Sequence, residues 1–190
     1  EITTRLVGSE MCIRDRITTV KGLATNMNTN NIVEFTVDEV FRRVFLLMKH
    51  SLAKHGCVLS MENELPGDAV LKGDINNLVQ VVNNLVDNAI KYNRPGGSVA
   101  VTVDMADGKP RLTVRDTGIG IPAAHQERVF ERFYRVDKSH SKEIGGTGLG
   151  LSIVKHAAAY HDAKIQLDSQ LGRGTRVRVL FPLSQREAQP

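Results

Sequence analysis

The chain contains no tryptophan and only nine aromatic residues, three Tyr and six Phe, among 190. A nucleic-acid surface built on stacked aromatic rings has little to draw on. An excess of one charge is missing too: 25 Lys and Arg against 21 Asp and Glu leave a net +4. The basic residues are spread along the chain, so no electrostatic footprint for nucleic acid is expected. The two cysteines, Cys12 and Cys57, have no second Cys or His at metal-ligand spacing and read as free thiols in a reducing cytosol. No apolar run approaches the roughly 18–20 residues of a membrane span, and no secretory leader is visible. The expectation is a cytoplasmic segment without membrane contact, whose parent protein is a candidate for anchoring in the inner membrane.

What is present suits one well-buried domain with an N-terminal remainder. The first residue is Glu rather than Met, so the chain is read as beginning inside a longer reading frame. Residues 1–32 form a stub. Within it, Leu6 to Arg16 (LVGSEMCIRDR) resembles translated adapter sequence and carries no functional reading, and Ile17 to Asn28 reads as the end of a helix. Residues 33–183 form the domain, and 184–190 a frayed tail.

Inside the domain, VEFTV is a short strand, and Asp38 to Lys54 has helical spacing with Val40, Val44, Leu47 and Leu52 on one side. CVLSMENEL and AVLKGD are strands around the Pro66-Gly67-Asp68 turn. Asp74 caps a long helix, Ile75 to Tyr92, which Pro95-Gly96-Gly97 ends. SVAVTVDM and RLTVRD alternate around a turn at Ala106-Asp107-Gly108. A short helix is expected over Ala123 to Phe133, a polar loop over Asp137 to Gly146, and a helix over Leu149 to His161. AKIQLDSQ and TRVRVLFPL are the last two strands. The sum is a two-layer α/β sandwich, with a mixed, mostly antiparallel sheet of about five strands and about three helices on one face.

Three stretches carry chemistry. On the long helix, Ile75, Leu78, Val82, Leu85 and Ala89 make an apolar stripe, while Asn84, Asn88 and Lys91 share another face. Amide oxygens are hard ligands for Mg²⁺ and Lys neutralises phosphate, although such residues on a helix are most often plain solvated surface. Asp116-Thr117-Gly118-Ile119-Gly120-Ile121-Pro122 follows a strand. Its glycines permit close backbone approach, and its carboxylate can accept from an adenine amino group; a simple glycine turn is the plainer alternative. Gly145-Gly146-Thr147-Gly148-Leu149-Gly150 opens onto a helix N-terminus, an arrangement that suits phosphate. It sits too late in the chain for a dinucleotide fold and lacks the Lys-Ser/Thr of a Walker loop.

In order, NNLVDNAIKYN, DTGIGIP, ERVFERFYRVD and GGTGLGLSIVKH resemble the N, first glycine, phenylalanine and second glycine boxes of sensor histidine kinases. The resemblance runs from Val33 to Pro182, about four-fifths of the chain. It implies the Bergerat sandwich shared by gyrase, the HSP90 chaperones, MutL and histidine kinases. Glu131 through Gly150 looks most like the phosphate-sensing type, whereas ITTVKGLATNMN and FTVDEVFRRVFLLMKH look closer to another histidine kinase group, as a mosaic would. By resemblance, Asn88 is the Mg²⁺ ligand and Asn84 its partner near the phosphates of ATP. Lys91 and Tyr92 face phosphates and sugar, Asp116 reads adenine, and Gly118 and Gly120 let the base approach. Arg135 is a γ-phosphate contact, Phe130 and Phe133 are packing that positions the lid, and Asp137 to Ile144 is the lid. Gly146, Thr147, Gly148, Leu149 and Gly150 line the phosphates.

Gyrase-type relatives place Glu four residues before the Mg-binding Asn, as a general base for water. Here that position is Asn84, and an amide cannot accept a proton. Transfer to a histidine on an upstream hairpin, then to a response regulator, is the implied reaction, with a homodimer formed through that hairpin. Ile17 to Asn28 would be the end of the hairpin. His50 and His55 lack the acceptor motif, and His125, His140, His156 and His161 read as surface or packing residues. Two other readings remain open: an anti-sigma-type serine kinase of the same fold, and a nucleotide-binding module that only engages partners.

Overall fold

The computed structural model describes residues 32–67, 69–136 and 147–182. The stub, Asp68, the expected lid, Gly145, Gly146, His140 and the tail lie outside the described residues. All elements below belong to the compact unit Val33–Pro190.

Strand β1 (Val33–Phe35) gives way at Thr36 to helix α1 (Val37–His55). Thr36 ends the strand because its side chain caps the helix: Oγ1 accepts from Glu39 N–H at 3.3 Å, and Thr36 N–H donates to Glu39 Oε2 at 2.9 Å. Gly56, with φ of 61°, closes the helix in the left-handed region that glycine enters without steric cost. The buried stripe is Val37, Val40, Phe41, Val44 and Met48. Leu47, expected on that face, is 59% exposed. It lies three residues after Val44 but one before Met48, and the 3.6-residue period carries Met48 inward instead.

Strands β2 (Val58–Asn63) and β3 (Leu71–Gly73) precede helix α2 (Ile75–Lys91). Asp74 caps α2, its Oδ1 accepting from Asn76 N–H at 2.9 Å and Asn77 N–H at 3.2 Å. Then come β4 (Ser98–Ala106), β5 (Lys109–Asp116), helix α3 (Gly150–Tyr160), β6 (Lys164–Gln170) and β7 (Gly174–Leu180). Five strands form one sheet in the order β2-β4-β5-β7-β6. Only β2 and β4 are parallel; the other pairs are antiparallel. Strands β1 and β3 make a separate antiparallel pair.

Alternation decides which face is covered. Val99, Val101, Val103, Leu112, Val114, Val177 and Val179 are buried, whereas Arg111, Thr113, Arg115, Arg176 and Arg178 on intervening positions are not. Helix α2 packs against both α1 and α3 and presents Val82, Leu85, Val86, Ala89 and Ile90 to the core. Burying each of the larger side chains contributes about 1.5–3 kcal/mol. The result is the two-layer sandwich of mixed sheet and helices that the sequence pattern leads one to expect.

The stretch Ala123 to Phe133 is not one helix. It forms two single turns of 3-10 helix, Ala123–His125 and Arg128–Phe130, and extends at Glu131. So short a run cannot meet the cost of helix nucleation without a continuous apolar face. Among the described residues no helix is long and apolar enough to cross a membrane.

Candidate functional site

The C-terminal half of α2, the end of β5, the β6–β7 turn and the start of α3 converge at one end of the sandwich. Helical spacing puts Asn84 and Asn88 on one side of α2, and both amides lie against Gly150. A Cβ there would sit 3.4 Å from Asn84 Oδ1 and 3.4 Å from Asn88 Nδ2. Asn84 Nδ2 donates to Gln80 O at 2.9 Å, which leaves Oδ1 on the side of Gly150. No side-chain partner is found for Asn88 among the described residues. Helix α3 begins at Gly150 without a side-chain cap from its N-cap residue, and among the described residues the N–H groups of its first turn have no side-chain partner at the positive end of the helix dipole.

Asp116, on the covered face at the end of β5, is half-buried. Its Oδ1 accepts from Gly118 N–H at 2.8 Å and Thr175 N–H at 3.1 Å. Both bonds fall on one oxygen, and Oδ2 has no protein partner among the described residues. Burial raises the carboxyl's pKa above its ordinary value, and the two backbone donors partly offset that rise. A cavity of about 390 Å³ borders Asp116, lined by Gln126, Ser169 and Thr175 together with Arg115, Arg173 and Arg176.

The glycines here are needed for the protein's own backbone. A Cβ at Gly118 would stand 2.3 Å from the Tyr92 carbonyl oxygen. One at Gly120, where φ is +71°, would stand 2.0 Å from the Gln170 carbonyl oxygen. Glycine is required at both positions by these backbone contacts alone. Tyr92 joins the site through its main chain, its carbonyl accepting from Ile119 N–H at 3.0 Å. Its side chain is 38% exposed.

Lys91, expected to face phosphate, is held by Asp87 at 2.6 Å on the same helix. Thr147 is exposed, and Leu149 is 1% exposed and belongs to the packing. Gly148, with φ of +69°, lies against the backbone of Phe133 and accepts its N–H at 2.9 Å. Phe133 thus holds the second glycine loop through its main chain: its φ is +63° and it is 51% exposed, not packed. Phe130 is half-buried, as is Arg135. His125 Nδ1 meets Tyr134 OH, and the Arg128 guanidinium lies 4.3 Å above the Tyr134 ring. His161 is half-buried against Tyr160 and Phe181, and burial lowers its pKa. His50 and His156 are exposed.

Four residues of the site escape a reading of the sequence: Gln126, Ser169, Gly174 and Thr175. Gly174, with φ of +95°, would place a Cβ 2.1 Å from the Asp116 carbonyl oxygen. The Leu171-Gly172-Arg173-Gly174 run signals a turn and nothing more, and Thr175 is 59 positions from the carboxylate it orients.

Residues 73–185 match the family model of histidine kinase-, DNA gyrase B- and HSP90-like ATPases. The sensor-like histidine kinase SenX3 of Mycolicibacterium smegmatis is 43% identical over 134 residues, 70% of this chain and 35% of that protein. The sensor histidine kinase WalK of Bacillus subtilis is 35% identical over 144 residues, 75% of this chain and 24% of that one. The nucleotide-free catalytic domain of histidine kinase ThkA superposes with a TM-score of 0.66 at 27% identity, covering 80% of this chain and 95% of its own. Full-length ShkA in complex with AMPPNP gives 0.72 at 26%, covering 84% of this chain and 33% of its own. The chain spans about a third of the length of the SenX3 relatives it matches. The family model takes in Asn84, Asn88, Asp116, Gly150 and Thr175 together, and this chain belongs to the histidine kinase-, DNA gyrase B- and HSP90-like ATPase family.

Proposed function

We propose that the chain is the ATP-binding catalytic domain of a sensor histidine kinase, transferring the γ-phosphate to a histidine on a hairpin domain for relay to a response regulator. One observation carries this reading. Asn84, Asn88 and Gly150 meet beside the uncapped start of α3, and Asp116 offers an oxygen with no partner among the described residues. Those two ends suit a polyphosphate and a purine amino group.

Asp116 Oδ2 accepts from the adenine amino group. Mg²⁺, when bound, neutralises phosphate charge. The donor set fits it: the Asn88 amide has no side-chain partner among the described residues and lies against Gly150, so its oxygen would join those of the phosphates as a hard ligand. The N–H groups of α3, with Gly146, Thr147, Gly148 and Gly150, receive the phosphates. Lys91 exchanges Asp87 for phosphate, Arg135 meets the γ-phosphate, and Tyr92 borders the sugar. Asn84 orients this face without accepting a proton, so water is not activated and an external acceptor is required.

The test supplies labelled ATP, Mg²⁺ and a two-helix phosphoacceptor domain, with or without this chain. The reading predicts acid-labile label on the acceptor histidine only when the chain is present. Label on serine of a partner protein would replace it with the serine-kinase reading. The absence of any transfer, with ATP bound, would leave a nucleotide-binding interaction module.

A further inference from the structure

The uncovered face of the sheet carries Arg111 and Arg115 on β5 and Arg176 and Arg178 on β7. Two of these have an acid to hold. Arg111 Nε donates to Asp104 Oδ1 at 2.9 Å, and Arg178 lies 2.9 Å from Asp168. Arg115 and Arg176 have no ion-pair or hydrogen-bond partner for their side chains among the described residues. They stand directly opposite each other in the antiparallel register. Side chains so paired start about 4.5–5.5 Å apart at Cβ, and like charges there repel. Arg173, exposed in the β6–β7 turn with its N–H on Gln170 O at 2.9 Å, lines the same cavity as both and has no acidic partner among the described residues either.

Two carboxylates also line that cavity, and neither neutralises the three arginines. Asp168 is taken by Arg178. Asp116 belongs to the covered face, and its pKa answers to burial and two backbone N–H groups, not to any guanidinium. Strand pairing gives no reason for arginine at both opposed positions, since the repulsion costs stability. An anion from outside the domain does give one.

The chemistry of the occupant follows from the side chains. A guanidinium fork grips a carboxylate through two parallel hydrogen bonds, which a lysine cannot do. Arg115 and Arg173 are exposed and Arg176 is half-buried, so a single small ion would stay hydrated there and gain little. Several carboxylates on one chain act together, because the first contact raises the effective concentration of the next. We infer that Arg115, Arg173 and Arg176 form a docking surface for a carboxylate-rich segment of a partner protein. The inference does not rest on the nucleotide reading.

The test follows the side-chain Nε–H resonances of the labelled full chain at low ionic strength while a polyglutamate peptide is added. Those of Arg115, Arg173 and Arg176 should shift together and saturate at one constant, with Arg111 and Arg178 moving less. Arg115→Gln and Arg176→Gln should each weaken the peptide about fivefold or more, the scale of one lost bidentate pair. Both should melt at the wild-type temperature or above it, because each removes the cross-strand repulsion; an arginine that serves only the fold would melt lower when replaced. Arg173→Gln, in an exposed turn, checks the same loss of binding without touching the sheet. Peptide shifts confined to other arginines overturn the inference, as do variants that bind as tightly as wild type. Inorganic sulfate that moves the three resonances at concentrations as low as the peptide would overturn it too, in favour of a small-anion site.

Discussion

Asp116 Oδ1 accepts the backbone N–H of Thr175 at 3.1 Å, a bond that joins the end of β5 to the start of β7. With the Gly118 N–H at 2.8 Å on the same oxygen, it fixes the carboxylate plane and leaves Oδ2 for a ligand. The orientation of the key acceptor is thus a property of sheet pairing, held by two main-chain donors and not by a mobile side chain.

Burial raises the Asp116 pKa, so protonation begins at a higher pH than for an ordinary Asp, whose value is about 3.9. Protonation replaces one acceptor with a donor. ATP affinity should fall as pH drops through that raised value, while the fold persists. The sign for stability is opposite: the folded state binds this proton more tightly than the unfolded chain, so its contribution to stability declines as pH rises through the same window. Asp116→Asn should therefore leave the nucleotide-free melting temperature at pH 7 unchanged or raised, and weaken ATP binding by about 1–3 kcal/mol. Calorimetry and thermal melting on one sample check both; a variant that melts lower and binds as tightly would refute this role.

Gly120 and Gly150 should respond differently to alanine. At Gly120 the positive φ alone costs about 1–2 kcal/mol in a non-glycine residue, and the Gln170 carbonyl must also move. Gly120→Ala should unfold at markedly lower denaturant. At Gly150 the helical backbone suits alanine, but its methyl group would stand in van der Waals contact with both amides at 3.4 Å and cover the face they offer to Mg-ATP. Gly150→Ala should fold normally and bind Mg-ATP several-fold more weakly, as chemical denaturation paired with calorimetry would reveal.

Asn88→Ala removes a side chain that has no protein partner among the described residues, so little stability is at stake. It should abolish the tightening of ATP binding by Mg²⁺ and spare most adenine affinity. Titrations with and without chelator measure this. Full metal-dependent tightening in the variant would contradict the assignment.

Asn84→Glu restores a carboxylate where hydrolysing relatives keep their general base. ATP hydrolysis without any acceptor should be slow in the wild type and rise in the variant. Phosphate release, followed over hours, checks the direction.

The elements were readable because their signals are local. Asp74 caps α2 from within three residues, and alternation in β4 and β5 marks the buried valines. The motif glycines and amides were readable too, as residue types in order. Their reasons were not: the Cβ of Gly118 is excluded by Tyr92, and that of Gly120 by Gln170, far away in sequence. Leu47 was misplaced because one residue along a helix is a turn of about 100°. Ser169, Gln126 and Thr175 carried no signal at all, since their roles exist only once β6 and β7 pair beside β5.

The most direct measurement follows backbone amide resonances of the labelled chain while Mg-ADP is added. The prediction is that Asn88, Gly118, Gly150 and Thr175 shift together and saturate at one micromolar-class constant, about −7 to −8 kcal/mol. Shifts confined to other surfaces, or separate constants for the α2–α3 and β5–β7 groups, would contradict a single nucleotide site built from these residues.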